Sequence, residues 1–142
     1  VQCARAFCTE LSLEDLRQMD GVGYASWLDL RTHELQRCFP RRAQKWGPAR
    51  KALNIFIRSI AYTAPLAVEY GLEHILPYLE VPLDRDVGTR LRKEREGAIL
   101  PAWKSIASLT EARSQDFQAV ACRVARRMSV HRADLDVFYW RA

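Results

Sequence analysis

An amine that attacks a carbon bearing a leaving group works best beside a carboxylate, which orients it and stabilises the cation that develops. Lys51 and Asp84 are the two residues whose types and settings suit that pairing. Lys51 belongs to a basic helix opening, Lys45-Trp46-Gly47-Pro48-Ala49-Arg50-Lys51-Ala52. Asp84 belongs to Glu80-Val81-Pro82-Leu83-Asp84-Arg85-Asp86-Val87, a Pro-Leu-Asp step ahead of a helical run that reaches Arg95. A carboxylate at the mouth of a helix is held there by free amides and the helix dipole. Capping alone explains that aspartate, and an ordinary surface position explains the lysine. The two readings of Asp84 are compatible with each other.

The elements that position this pair are expected to be helices. Helical periodicity dominates and alternating strand patterns are missing, so the chain reads as all-α, one compact helical domain over residues 1–142. A first helix is expected from Ser12, with Asp15 completing a capping-box variant and Leu13, Leu16 and Met19 on one face. It stops at Asp20-Gly21-Val22-Gly23. A second starts near Tyr24, carries Leu28, Leu35 and Cys38 on one side, and closes before Pro40. Lys45 to Tyr62 is the most clearly amphipathic stretch, with Pro48 in its first turn. Ala49, Leu53, Phe56 and Ile60 form its core stripe. Lys51, Ile55, Arg58 and Tyr62 lie nearly opposite, so that face is either sandwiched or lines a cleft. Shorter helical pieces follow at residues 65–70 and 72–79. The helix after Asp84 comes next, then one capped by Thr110 that buries Phe117, Val120, Ala121, Val124 and Met128. A last helix runs from Arg132 to Trp140.

Composition narrows the classes. With 49% hydrophobic and 27% charged residues the chain suits a globular protein with a real core. It contains no run of about 18 apolar residues, so no membrane span is expected. The first residues lack a secretory apolar stretch, which leads us to expect a cytoplasmic protein. Cys3, Cys8, Cys38 and Cys122 show no two-residue ligand spacing and read as reduced, structural thiols. His33 and His131 have no matching partners. No metal site and no cofactor are expected. The net charge of +5 rests largely on arginines, as in Arg41-Arg42 and Arg90-Leu91-Arg92-Lys93. Arginine forks match phosphate oxygens, so a polyanion partner suits the charge, as does a solvated basic surface. No obligate protein partner is evident.

Three further stretches share a pattern. Leu16-Arg17-Gln18-Met19-Asp20-Gly21-Val22-Gly23-Tyr24-Ala25 looks like a helix-hairpin-helix turn. Glycines there permit a tight turn and close approach to a phosphate, which the next helix's free amides then bind. An ordinary helix-to-helix turn has the same sequence signature. Val81-Pro82-Leu83-Asp84-Arg85-Asp86-Val87 and the tail Val130 to Trp140, with Leu135-Asp136 before its aromatics, complete the set. Together they resemble the helix-hairpin-helix DNA glycosylase superfamily, from about Leu11 to Trp140. The wide Lys51–Asp84 separation and the tail are most similar to its archaeal 8-oxoguanine DNA glycosylase branch. In the commonest register the lysine stands two residues beyond the second hairpin glycine, where this chain has Ala25 and Ala49.

The resemblance implies a base-excision glycosylase acting on a damaged base in duplex DNA, extruded from the stack for the reaction. It implies that Lys51 attacks the sugar carbon and forms a Schiff base, permitting strand cleavage, while Asp84 stabilises the developing cation. Gly21, Val22 and Gly23 would hold the DNA backbone together with Arg50 and Arg58. Trp46 and Tyr62 would wall the base pocket. Two other classes stay open: a non-catalytic helix-hairpin-helix DNA-binding module, and a helical protein-interaction domain whose proline-aspartate loop is only a cap.

Overall fold

Side-chain caps set where three of the helices begin. Asp20 accepts the Gly23 N–H at 2.7 Å, Asp84 the Val87 N–H at 2.9 Å and Thr110 the Arg113 N–H at 3.3 Å. Each capping residue has extended backbone, so the chain enters its helix from a straight segment. The computed structural model describes residues 2–141, and every regular element among them is helical. The α-helices are α1 (Gln2–Thr9), α2 (Gly21–Cys38), α3 (Trp46–Ala61), α4 (Ala64–Tyr70), α5 (Arg85–Lys93), α6 (Glu111–Met128) and α7 (Leu135–Arg141). Short 3-10 segments punctuate them, notably Glu14–Gln18, Glu73–Tyr78, Ile106–Ser108 and Arg132–Asp134. Gly71 ends α4 at φ 61°, a left-handed position that glycine takes without penalty. No helix among the described residues is long and apolar enough to cross a membrane.

Helix α3 touches both halves of the core. Its Ala49, Leu53, Ile57 and Ile60 join Leu16, Tyr24, Leu28, Leu35, Leu72 and Ile75 in one apolar cluster. Its first residue, Trp46, joins a second cluster with Val81, Leu83, Val87, Leu91, Phe117, Val120, Val124 and Leu135. Gly47 lets this start pack tightly: a Cβ there would lie 2.1 Å from the Ile106 carbonyl oxygen. The expected α3 stripe shifts by one residue, with Ile57 fully buried and Phe56 partly so.

Other expectations need correction. The helix expected from Ser12 is a five-residue 3-10 turn, Glu14–Gln18, with only Leu16 buried. The helix at this end of the chain is instead α1, which holds Cys8 and buries none of its residues. The second helix starts earlier than expected, so that Gly21-Val22-Gly23 forms the first turn of α2 and not a turn ahead of it. Among the described residues Gly71 is the glycine with positive φ, so Gly21 and Gly23 need no left-handed backbone. Cys38 closes α2 on the exposed side, not in its apolar stripe. The last helix is divided between the 3-10 turn Arg132–Asp134 and α7.

Candidate functional site

Lys51 and Asp84 meet. The lysine Nζ donates to Asp84 Oδ2 at 3.1 Å, while Asp84 Oδ1 accepts the Val87 N–H at the start of α5. One carboxylate oxygen is therefore spent on fixing orientation and the other faces the amine. The side chains are 31% and 33% exposed, so a solute can reach the pair. Ion pairs this accessible contribute about 0–1 kcal/mol, and little of the fold's stability rests on this one.

The segment that carries Asp84 is irregular yet buried, with Val81, Pro82 and Leu83 all inside. Proline favours extended backbone at the residue before it, which keeps this segment straight. Buried backbone without a ladder must find other partners. Gln118 of α6 supplies two: its Oε1 accepts the Val81 N–H at 3.2 Å and its Nε2 donates to the Val81 carbonyl at 2.8 Å. Arg132 donates to the carbonyls of Tyr78 at 2.7 Å and Leu79 at 3.0 Å. The segment is thus tied to α6 and to the approach of α7.

Arg50 makes the third tie. Its guanidinium forks onto Glu80, Nε to Oε2 at 2.8 Å and Nη2 to Oε1 at 2.9 Å, and Asn54 donates to the same carboxylate at 3.0 Å. Its Nη1 reaches Asp29 Oδ1 at 2.7 Å and Thr32 at 3.0 Å on α2. Burial alone would push the Glu80 carboxyl up; the hydrogen bonds and charge of Arg50 override it and hold Glu80 below the ordinary carboxylate value. Arg50 precedes Lys51, and Glu80 precedes Asp84 by one short, tethered stretch. The clamp therefore ties the start of α3, which carries Lys51, to the segment that carries Asp84.

From Lys51 the same face of α3 continues through Ile55, Arg58 and Tyr62, as their spacing requires. Arg58 Nη1 pairs with Asp136 Oδ2 at 2.6 Å, and the Tyr62 hydroxyl donates to Asp134 Oδ2 at 2.9 Å. Burial, then the hydrogen bond and charge of Asp134, push the Tyr62 phenol up to about 12. Ile55, Arg58, Ser59, Tyr62 and Asp134 line an open recess of ≈ 390 Å³. It begins one helical turn, about 5–6 Å, from Lys51. A second groove, ≈ 640 Å³, runs between α5 and α7 and is lined by Arg85, Arg90, Lys93 and an exposed Trp140.

Several expected site residues stand elsewhere. Arg50 is buried in its clamp and has no free fork for a phosphate. Trp46 is a core residue with the Arg50 guanidinium 5.2 Å from its ring centroid, so it walls no open pocket. At Gly21-Val22-Gly23 the Asp20 carboxylate already takes the Gly23 N–H and puts negative charge where a phosphate would sit. Arg58 faces the recess with its charge matched by Asp136. Lys51, Arg58 and Tyr62 thus share one face with Asp84, and Arg50, Trp46 and the glycines leave it. Glu80, Gln118 and Asp134 are working parts that sequence reasoning did not select. Among the described residues no group of three or more His, Cys, Asp or Glu side chains is placed to hold a metal ion.

No family model matches this chain, and no curated protein or solved structure matches it either.

Proposed function

We propose that the chain is a DNA base-excision glycosylase in which Lys51 is the nucleophile and Asp84 its electrostatic partner. One observation carries the reading: an amine 3.1 Å from a carboxylate whose other oxygen is locked by a helix cap, in a solvent-reachable setting. A preorganised carboxylate of this kind stabilises positive charge on a deoxyribose as the base departs, without reorganising during the reaction. Lys51, once it has lost its proton, attacks the sugar carbon and forms the Schiff base that permits strand cleavage. The recess lined by Ile55, Arg58, Tyr62 and Asp134 takes the extruded base, its polar groups offering both donors and acceptors.

The DNA backbone in this reading is held chiefly by α5 and not by a helix-hairpin-helix turn at Gly21-Val22-Gly23. Among the described residues Arg85, Arg90 and Lys93 have no carboxylate within ion-pair distance. Arg85 adjoins the aspartate that must face the sugar, and Arg90 and Lys93 continue the charge along the same helix, where DNA phosphates would be held. The test is base release from a panel of damaged duplexes by the folded protein and by Asp84→Asn. Release that falls at least a hundredfold in the variant supports the reading. Absence of release from every duplex by the unaltered protein favours a non-catalytic binding module.

A further inference from the structure

We infer that Cys3 and Cys38 form a reversible disulfide that staples α1 to the end of α2. Cys3 lies in the first turn of α1 and Cys38 is the last residue of α2, so the two come from opposite ends of a segment that folds back on itself. The Cys3 thiol donates to the Cys38 carbonyl. That contact sets the Cys3 sulfur directly against the Cys38 backbone, and a disulfide joins residues whose Cα atoms lie about 4.4–6.8 Å apart. Desolvation, then the nearness of Cys3, holds the Cys38 thiol above its ordinary value.

The rest of α1 shows what the bond would do. The helix has eight residues and buries none of them. An isolated helix shorter than about 12–15 residues is marginal in water, so α1 depends on its packing. That packing is thin, made by the partly buried Ala4 and Phe7. Through Ala4 and Cys8, α1 borders an apolar groove against Ala52, Phe56 and Ile60 of α3. A covalent tie at Cys3 fastens this weakly held helix beside the element that carries Lys51. The other cysteines lie elsewhere: Cys8 is more than one helical turn beyond Cys3 on α1, and Cys122 sits on α6.

Glutathione disulfide is a sufficient oxidant. The exposed Cys38, as thiolate, attacks one of its sulfurs; the S–S bond breaks and a glutathione thiolate leaves. Cys3, as thiolate, then attacks Cys38 Sγ in the mixed disulfide and displaces the second glutathione. Two protein thiols are oxidised to one disulfide, one glutathione disulfide is reduced to two thiols, and the two protons lost by the cysteines end on glutathione.

The experiment equilibrates the whole chain with glutathione disulfide, quenches it with iodoacetamide in denaturant and maps peptides by mass spectrometry. The expected result is a Cys3–Cys38 cross-link lighter by two hydrogens, with Cys8 and Cys122 alkylated. Cys3→Ser should leave Cys38 as a glutathione adduct without any internal link. Tryptic cleavage after Arg5 should slow several-fold in the oxidised chain and recover on reduction. Alkylation of both Cys3 and Cys38, a cross-link to Cys8 or Cys122, or unchanged cleavage after Arg5 in cross-linked protein overturns the proposal. The outcome is independent of the base-excision reading, since no step uses Lys51 or Asp84.

Discussion

Asp84 caps α5 and, in the proposed reading, also stabilises the developing cation, and the choice of substitution tells the two apart. Asparagine caps helices about as well as aspartate, so Asp84→Asn should keep the Val87 bond and the start of α5. Its thermal midpoint should stay within a few degrees of the parent while base release falls at least a hundredfold, through lost charge. Alanine removes the cap as well and should cost about 0.5–2 kcal/mol of stability, read from urea unfolding. Equal stability loss in both variants would show that the carboxylate matters through its charge in the fold itself. Lys51→Gln should change stability by less than about 1 kcal/mol, because a pair this accessible contributes little. Any loss of activity in that variant therefore cannot be put down to unfolding.

The segment from Leu79 to Asp84 works as an element although it has no regular structure, because Arg50, Gln118 and Arg132 hold it. Gln118→Leu strands the Val81 N–H and C=O without partners. It should cost about 1–3 kcal/mol for each group left unsatisfied, measured by urea unfolding. The Arg50–Glu80 clamp predicts an acid sensitivity with a definite sign. Glu80 has a lower value folded than unfolded, so the unfolded chain binds the extra proton. Its contribution is fully present above the ordinary glutamate value of about 4.3 and is lost as pH falls through the lower, folded value. Glu80→Gln should lower stability at neutral pH and flatten this part of the urea-midpoint profile; an unchanged slope would remove the clamp from the account. Much at this scale was legible in the sequence: α3, α6 and the Asp84 cap announce themselves by period, proline and capping residue. The face holding Lys51, Ile55, Arg58 and Tyr62 follows from spacing alone. What spacing does not carry is which cation of an adjacent pair turns inward. Arg50 and Lys51 look alike in the string, and only the carboxylates of Asp29 and Glu80, brought in by tertiary packing, bury the first and leave the second at the surface. The glycines before Tyr24 misled for a related reason, since Asp20 caps the helix without any left-handed residue.

At the scale of the molecule, α3 stands between two apolar clusters and presents the face holding Lys51 and Arg58 to Asp84 at the start of α5 and Asp136 of α7. If the proposed reading holds, Arg85, Arg90 and Lys93 of α5, unpaired among the described residues, should make duplex binding salt-dependent. Replacing Arg90 and Lys93 by alanine should flatten the plot of log affinity against log salt by about 0.9 per lost phosphate contact. An unchanged slope would move the DNA surface elsewhere. Whether Lys51 is the attacking amine can be tested directly, because the chain holds only four lysines, Lys45, Lys51, Lys93 and Lys104. Protein is incubated with lesion-containing duplex and borohydride, and the covalent product is digested and mapped by mass spectrometry. One reduced adduct is expected, on Lys51, and it should disappear in Lys51→Gln while duplex binding persists. An adduct on another lysine, or base release with no adduct at all, would contradict that role for Lys51.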